Sequence, residues 1–249
     1  MASLGAAKRI YRDEGILQLA RKTIYFGYNN YLRILLPKRT VMYNQVSVAA
    51  GRVADSLIPW QTTDIPDYEG GLIRGIREYV DDGDTVVVVG GGWGVSTVAA
   101  ARQAGSSGRV VTFEGAKEAV ERVEETVEKN HVRSRVSVQH ATVAQAHSLR
   151  GNADGAKVMD PSNLPACDVL VLDCEGAELD IIDEMEIQPK VLIVETHGMY
   201  DAPELAVRDR LDQAGYEVVE SMVAEKRLQS VCEKNGIYVL YSVRHGSTY

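Results

Sequence analysis

The sequence of 249 residues is poor in cysteine and contains no long apolar run. Its three cysteines do not support a disulfide scaffold, because one stays unpaired in any intramolecular scheme, and none has a metal-binding Cys-x-x-Cys spacing. No stretch approaches the roughly 18–20 consecutive apolar residues of a membrane-spanning helix. Charged residues between positions 8 and 14 interrupt the apolar core that a secretory signal needs. We therefore expect a cytoplasmic protein.

The charge of the chain is acidic overall and unevenly distributed. Lys and Arg number 27 against 35 Asp and Glu, for a net charge of −8. This balance argues against sequence-independent binding of nucleic acid. Residues 1–50 nevertheless hold eight basic residues against two acidic ones, a local charge of +6 that leaves −14 for the remainder. The chain thus has a basic first segment and an acidic remainder.

The order of predicted elements from residue 84 onward is typical of an α/β protein. Short Val-rich runs predict buried parallel strands, and the segments between them predict helices. The predicted strands are 84–89, 109–113, 135–139, 168–172, 191–194, 216–219 and 237–243. Right-handed crossovers through helices then give a doubly wound, mostly parallel sheet. We divide the chain into a helical, basic N-terminal extension (1–65) and an α/β domain (66–249).

A glycine-rich turn, Gly90-Gly91-Gly92-Trp93-Gly94, follows the first of these strands. Glycines at such a position allow a sharp turn and let backbone N–H groups approach a ligand closely. A dinucleotide-binding turn requires Gly-x-Gly-x-x-Gly, but the sixth position counted from Gly90 is Val95. The spacing therefore disfavours a nicotinamide dinucleotide and suits S-adenosylmethionine, which has no diphosphate. A purely structural strand-to-helix turn is the alternative.

An acidic residue, Glu114, ends the second predicted strand, 20 residues after Gly94. A carboxylate in this position can accept hydrogen bonds from ribose hydroxyl groups. The glycine turn and Glu114 together predict a nucleoside site at the carboxyl edge of the sheet. A solvated glutamate at a strand end is the alternative.

A third polar group, Asp173-Cys174-Glu175-Gly176-Ala177-Glu178, follows the strand predicted at 168–172. Carboxylates here can hold a divalent metal, orient a substrate or accept a proton, and Glu178 can equally complement the positive end of the next helix. The segment resembles the Asp-x-Glu-Gly-Ala-Glu signature of the FkbM-type family of S-adenosylmethionine-dependent methyltransferases. Phe113-Glu114, Asn130 and Tyr68-Glu69 also resemble recurrent features of that family.

The resemblance to the FkbM-type family covers residues 66–243 approximately. It implies a class I, Rossmann-like methyltransferase fold, S-adenosylmethionine as methyl donor, and O-methylation of a hydroxyl on a sugar, a glycan or a small metabolite. The residues expected at the cofactor are Gly90, Gly92, Trp93, Gly94, Glu114, Glu69 and Thr142. The sequence departs from the family at Val88, where an acidic residue is usual, and Glu69 is a carboxylate that could compensate.

The catalytic residues expected from the sequence are His197, Asp173 and Glu175. A histidine titrates near pH 6.5, so His197 is suited to accept the proton of an acceptor hydroxyl at neutral pH. Asp173 would orient the acceptor or a divalent metal, whose requirement the sequence leaves open, and Glu175 is an alternative proton acceptor. Neighbouring carboxylates would raise the pKa of Cys174, which argues against a nucleophilic thiol. A hydrogen-bonded surface histidine is the alternative for His197.

Two other functional classes remain open beside the methyltransferase. Val88 permits a nucleoside-binding protein without catalysis. A nicotinamide-dependent oxidoreductase would share the fold but conflicts with the spacing of the glycine turn. Within the methyltransferases, the absence of an Asn-Pro-Pro-Tyr-like segment argues against methylation of an amide or adenine nitrogen.

The segment 21–36 concentrates aromatic and apolar residues between basic ones, and Pro37 ends any helix there. A helix packed on the domain or at a homodimer interface is the favoured interpretation. Contact of residues 8–39 with the inner face of an anionic membrane is the alternative.

The partner expected from the sequence as a whole is a small-molecule or glycan acceptor. No nucleic acid is expected, because the net charge is acidic.

Overall fold

A computed structural model describes residues 11–57, 64–144, 155–200 and 202–246. The chain divides into two compact units, one formed by residues 1–40 and 50–63 and the other by residues 41–49 and 64–249. The second unit contains the α/β sheet. Because it takes in residues 41–49, the units divide at points other than the predicted boundary at residue 65.

Ten strands in the described part of the chain form two sheets. They are β1 (Lys38–Tyr43), β2 (Val46–Arg52), β3 (Thr85–Val89), β4 (Arg109–Glu114), β5 (Val136–Val143), β6 (Lys157–Met159), β7 (Val169–Leu172), β8 (Val191–Glu195), β9 (Tyr216–Val223) and β10 (Tyr238–Arg244). Strands β1 and β2 pair with each other. The other eight form one sheet in the order β6-β5-β4-β3-β7-β8-β10-β9.

The large sheet is parallel except at β10, which runs antiparallel to both of its neighbours. Val87 of β3 lies between Val111 of β4 and Leu170 of β7 in the parallel part, whereas Leu240 of β10 faces Val194 of β8 in antiparallel register. The Val-rich runs of β3 and β7 are fully buried, as expected of central strands. The prediction of a doubly wound, mostly parallel α/β sheet is confirmed.

Of the principal helices that the structure describes, one precedes β1 and the other six lie between strands along the chain. They are α1 (Ile16–Gly27), α2 (Gly70–Tyr79), α3 (Val95–Gln103), α4 (Lys117–Lys129), α5 (Glu178–Glu184), α6 (Glu204–Gln213) and α7 (Gln229–Asn235). Because β3, β4, β7 and β8 run in one direction, the segments that follow them leave at the same edge of the sheet. These segments are 90–94, 114–116, 173–178 and 195–197, as the sequence predicted.

The N-terminal segment, which was expected to be helical, also contains the hairpin β1–β2. Asn44 and Gln45 form its turn, and both have the positive φ angles (45° and 68°) that a two-residue hairpin turn requires. The apolar residues Val41, Val46 and Val48 of the two strands are buried. The predicted helical extension thus holds a strand pair as well as a helix, because short β-branched runs gain their stability by burying one face.

Other departures from the predicted elements are small. Residues 150–154 of the loop predicted at 150–165 lie outside the described residues, and the remainder holds β6 and a single 3₁₀ turn, Pro161–Asn163. Strand β5 extends to Val143, four residues beyond its predicted end. Within the described residues, no helix is both long enough and apolar enough to cross a membrane.

Candidate active site

The glycine turn lies directly against the end of β7. Gly90 has φ 97°, and a Cβ added there would lie 1.8 Å from the carbonyl oxygen of Asp173. Only glycine allows this approach, because any side chain would collide with backbone that cannot move. Gly92 (φ 52°) faces Glu69, whose Oε1 would lie 3.7 Å from an added Cβ. The glycine turn therefore lies directly against the acidic segment 173–178, which the sequence also singled out.

Gly94 has a different role from the other predicted glycines. It begins α3 with φ 78°, and an added Cβ would lie 3.1 Å from Cα of Val123 in α4. It is absent from the residues that line the cavity described below. The structure thus assigns Gly94 to the close packing of two helices, although the sequence placed it at the cofactor.

Glu114 holds the glycine turn in place. Its Oε2 accepts hydrogen bonds from the N–H groups of Gly91 and Gly92, each at 2.9 Å, and its Oε1 accepts one from the N–H of Ala116 at 2.8 Å. The side chain is buried, and Oε1, which accepts only one of these three hydrogen bonds, retains a second lone pair. The solvated alternative is therefore wrong, and Glu114 fixes the loop whether or not it also contacts a ribose.

Glu69 lies beside the turn and caps a helix. Its backbone is left-handed (φ 50°) at the start of α2, and its Oε2 accepts a hydrogen bond from the N–H of Ser96 in the first turn of α3 at 3.2 Å. Burial, followed by repulsion from Asp173, raises the pKa of Glu69 to about 8. Val88, by contrast, is fully buried within β3. Glu69 is therefore placed where it can supply the carboxylate that β3 lacks.

Asp173, Glu195 and His197 converge at the ends of β7 and β8. Nε2 of His197 lies 3.6 Å from Oδ1 of Asp173 and 3.5 Å from Oε1 of Glu195. One potential ligand atom from each of the three lies within 4.8 Å of the others, a spacing that could hold a divalent cation. Glu195 directly follows the strand predicted at 191–194, but no role at the site was predicted for it.

His197 is held from behind by Glu178. Oε1 of Glu178 lies 2.8 Å from Nδ1 of His197, and the two side chains are 0% and 4% exposed. Glu178 also accepts hydrogen bonds from the N–H groups of Gly176 and Cys174, at 2.8 and 3.3 Å. The surface-histidine alternative is therefore wrong, and Glu178 does more than complement a helix end.

The electrostatics of the site follow from this crowding of carboxylates. Burial, then repulsion from Asp173 and Glu69, raises the pKa of Glu195 well above its usual value. Burial alone would lower the pKa of His197, but the hydrogen bond to Glu178 and the charge of Asp173 outweigh it and raise that pKa. Burial, then the charges of Glu178 and Asp173, raises the pKa of Cys174 well above its usual value. As predicted, this thiol is a poor nucleophile at neutral pH.

A cavity of ≈ 410 Å³ connects these groups. It is lined by every predicted site residue except Gly94, namely Glu69, Gly90, Gly92, Trp93, Glu114, Thr142, Asp173, Glu175 and His197. Arg122 and Glu225 also line it and were not singled out in the sequence. The guanidinium of Arg122 lies over the ring of Trp93, 5.0 Å from its centroid. On an amphipathic, glutamate-rich helix, the sequence gives no signal that separates Arg122 from the solvated charges.

The fold agrees with the comparisons to known proteins. Residues 62–148, about a third of the chain, match the model of the family described as Protein-L-isoaspartate(D-aspartate) O-methyltransferase. No curated protein matches the sequence. The mostly parallel central sheet agrees with a class I, Rossmann-like methyltransferase fold. The match and the sheet together support an S-adenosylmethionine-dependent methyltransferase of class I fold.

Several solved structures resemble the chain at low sequence identity. A SAM dependent methyltransferase from Aquifex aeolicus is 17% identical, with a TM-score of 0.48 over 69% of this chain and 89% of that one. A Precorrin-6y C5,15-methyltransferase from Geobacter metallireducens is 15% identical, with a TM-score of 0.47 over 72% and 88%. A ribosomal protein L11 methylase from Lactobacillus delbrueckii is also 15% identical, with a TM-score of 0.47 over 70% and 76%. Similarities of this size do not identify an acceptor.

Proposed function

We propose that this chain is an S-adenosylmethionine-dependent O-methyltransferase of the FkbM type. Its acceptor is a hydroxyl group on a sugar, a glycan or a small metabolite. One observation carries the proposal: the glycine turn held by Glu114 lines the same cavity as His197, whose Nδ1 is held by the buried Glu178.

The charge of the cavity supports this donor. S-adenosylmethionine brings a sulfonium and an ammonium group against a single carboxylate, so it is a net cation. The cavity is lined by six acidic side chains, those of Glu69, Glu114, Asp173, Glu175, Glu195 and Glu225. A bound cation would favour the charged form of Glu69 and Glu195, whose pKa values are raised chiefly by burial. The residues that would hold the donor are Gly90, Gly92, Trp93, Glu69, Glu114 and Thr142.

The same contacts argue against a nicotinamide dinucleotide. A diphosphate needs free backbone N–H groups at the glycine turn. Here the N–H groups of Gly91 and Gly92 donate to the carboxylate of Glu114, whose charge would repel a diphosphate. This argument from charge is independent of the spacing of the glycines.

The chemistry asks the protein for alignment and for one proton acceptor. S-adenosylmethionine, when bound, supplies a methyl group that is already electrophilic, so the main tasks are to orient the hydroxyl and to exclude water. Because Glu178 accepts the Nδ1–H of His197, Nε2 is left to accept the proton of the hydroxyl. Asp173, whose Oδ1 lies 3.6 Å from Nε2, orients the acceptor. Glu175 is the alternative proton acceptor.

The proposal is tested by calorimetric titration of the full chain with S-adenosylmethionine and, separately, with NAD. We expect binding of the first and none of the second. Transfer from a methyl-labelled donor to a panel of sugars and small alcohols, read by mass spectrometry, then tests catalysis. Donor binding without transfer to any acceptor would favour a nucleoside-binding protein, and NAD binding would overturn the proposal.

A chelator arm addresses the metal question within the same assay. We expect transfer to persist in excess chelator, because Nε2 of His197 serves as the proton acceptor. Loss of transfer that Mn²⁺ or Mg²⁺ restores would instead make Asp173, Glu195 and His197 metal ligands and remove His197 as the base.

A further inference from the structure

Helix α1 is exposed on all sides. None of its residues is buried, and Ile16, Leu17 and Ile24 are 67%, 83% and 56% exposed. A surface helix of a globular protein normally covers its apolar stripe by packing it on the core. Most of the apolar side chains of α1 are therefore exposed and available to a partner outside the chain.

The exposed residues of α1 divide into two faces. At about 100° per residue, six apolar residues fall within roughly 180° of arc on one side of the helix, namely Phe26, Leu19, Ile16, Ala20, Ile24 and Leu17. The opposite side carries Arg21, Gln18 and Lys22, with Tyr25 among them. An apolar face and a basic face on one exposed helix are typical of segments that lie in a membrane interface.

The pattern continues beyond α1. Residues 11–40 contain six basic side chains against two acidic ones. The large apolar side chains exposed between residues 11 and 36 are Tyr11, Ile16, Leu17, Ile24, Tyr25, Phe26, Tyr31, Leu32, Ile34 and Leu35. Four of these are aromatic, which is the residue type that favours the boundary between headgroups and acyl chains.

This segment is anchored within its own unit. The buried Tyr28 donates its hydroxyl hydrogen to Oδ1 of Asp55 at 2.6 Å, and Arg33 donates to both oxygens of Asp55 at 3.1 and 3.0 Å. Asp55 is itself buried. The exposed apolar residues therefore stand on a fixed platform rather than on an unattached tail.

We propose that residues 11–36, together with Lys38 and Arg39, form a docking surface for an anionic phospholipid bilayer. Such a bilayer presents negative charge over an apolar layer, so the net positive charge and the exposed apolar side chains of one segment can contact it together. A second copy of the chain fits less well, because it would bring the same excess of six basic over two acidic side chains against itself. The −14 charge outside residues 1–50 is repelled by the same surface, which confines contact to this segment.

The test is co-sedimentation of the full chain with phosphatidylcholine vesicles, with and without phosphatidylglycerol. We expect binding only to the anionic vesicles, with release as salt rises. The variants Leu17→Glu and Ile24→Glu should each lower the partition coefficient by about tenfold or more, because each removes an apolar side chain from the bilayer. Leu205→Glu is the matched control, since Leu205 is 75% exposed on α6. This variant should bind the vesicles like the unaltered chain.

Charge is tested separately with Arg21→Glu and Lys22→Glu against Lys157→Glu, an exposed lysine on β6. The first two should weaken anionic binding roughly tenfold each, and the third should not. Failure of the unaltered chain to bind anionic vesicles, or binding that survives Leu17→Glu, would overturn the proposal. If sedimentation velocity instead shows a dimer that Leu17→Glu dissociates, a second copy covers the segment. Circular dichroism confirms that each variant is folded.

Discussion

Nδ1 of the buried His197 donates a hydrogen bond to Oε1 of the buried Glu178 over 2.8 Å. Nineteen residues separate the two in sequence, and the bond links the start of α5 to the loop after β8. A carboxylate can only accept, so the bond fixes which ring nitrogen carries the proton in neutral His197. The other nitrogen, Nε2, is thereby directed towards Asp173 and Glu195.

Removal of the imidazole should affect turnover and spare donor affinity. We expect His197→Ala to lower kcat by 10²–10⁴-fold, roughly 3–5 kcal/mol of barrier, because a positioned base is lost. Calorimetric titration with S-adenosylmethionine should give nearly the same Kd as the unaltered chain. Near-normal turnover across the neutral pH range would transfer the role of proton acceptor to Asp173 or Glu175.

Replacement of Glu178 should move the pH profile. Glu178→Gln keeps the shape but removes the charge that raises the pKa of His197, so that pKa should fall. Because the base acts in its neutral form, the acidic limb of kcat should move to lower pH. Glu178→Ala should also destabilise the fold by about 3 kcal/mol, since it leaves a buried partner without its acceptor. An unmoved limb in Glu178→Gln would separate His197 from the proton transfer.

Glu114 should be needed for donor binding. Glu114→Ala removes the acceptor of three N–H groups and frees the glycine turn, and it should weaken S-adenosylmethionine binding by roughly 1.5–3 kcal/mol. Glu121→Gln, on the exposed side of α4, is the control and should bind normally. Unchanged affinity in a folded Glu114→Ala protein would remove Glu114 from the donor site.

Two glycines with similar backbones allow collision to be separated from strain. Gly90 (φ 97°) and Gly215 (φ 87°) both lie in the left-handed region, but an added Cβ meets the Asp173 carbonyl oxygen at the first and nothing within 4 Å at the second. Gly215→Ala should cost about 1–2 kcal/mol of unfolding free energy. Gly90→Ala should cost clearly more and weaken donor binding. Equal losses in urea unfolding would mean that the turn can move away from β7.

The raised pKa of Glu69 predicts a stability that falls with rising pH. The folded chain keeps this proton up to pH about 8, whereas the unfolded chain releases it near 4.5. Between these values the folded state holds more protons, so the unfolding free energy decreases by at most about 1.4 kcal/mol per pH unit for this group. Glu69→Gln should flatten the profile measured by urea unfolding, and Glu121→Gln should not.

Continuous apolar runs made the sheet predictable, whereas the hairpin depended on context. Residues 86–89 of β3 and all of β7 are uninterrupted runs of Val and Leu, a pattern typical of central strands buried on both faces. These runs predicted the edge of the sheet at which Asp173 lies. In β1 and β2 the apolar residues are too few to predict strands until their partners are known. Thr142 reaches the cavity only because β5 continues past its predicted end.

The roles within the site were harder to predict than its location. Glu178 has the sequence position of a residue that complements a helix end, and nothing local shows that it meets His197. The same holds for Arg122, whose contact with Trp93 depends on how α4 packs beside the turn. Contacts between side chains far apart in sequence are therefore what the structure adds.

The hydrogen bonds of Asn130 limit where the first segment of the chain can be exchanged without damage to the unit that contains the large sheet. Its amide exchanges two hydrogen bonds with the backbone of Ser47, at 3.1 and 2.8 Å, so residues 41–49 belong to the same fold as the sheet that begins 40 residues later. Along the sequence, residues 50–63 interrupt this unit, and they belong to the other compact unit. A recombination event or a designed chimera that joined a new first segment at residue 66 would omit the hairpin that Asn130 holds. Exchange of the first segment between such proteins is therefore restricted to crossovers that retain or recreate a strand pair at this place.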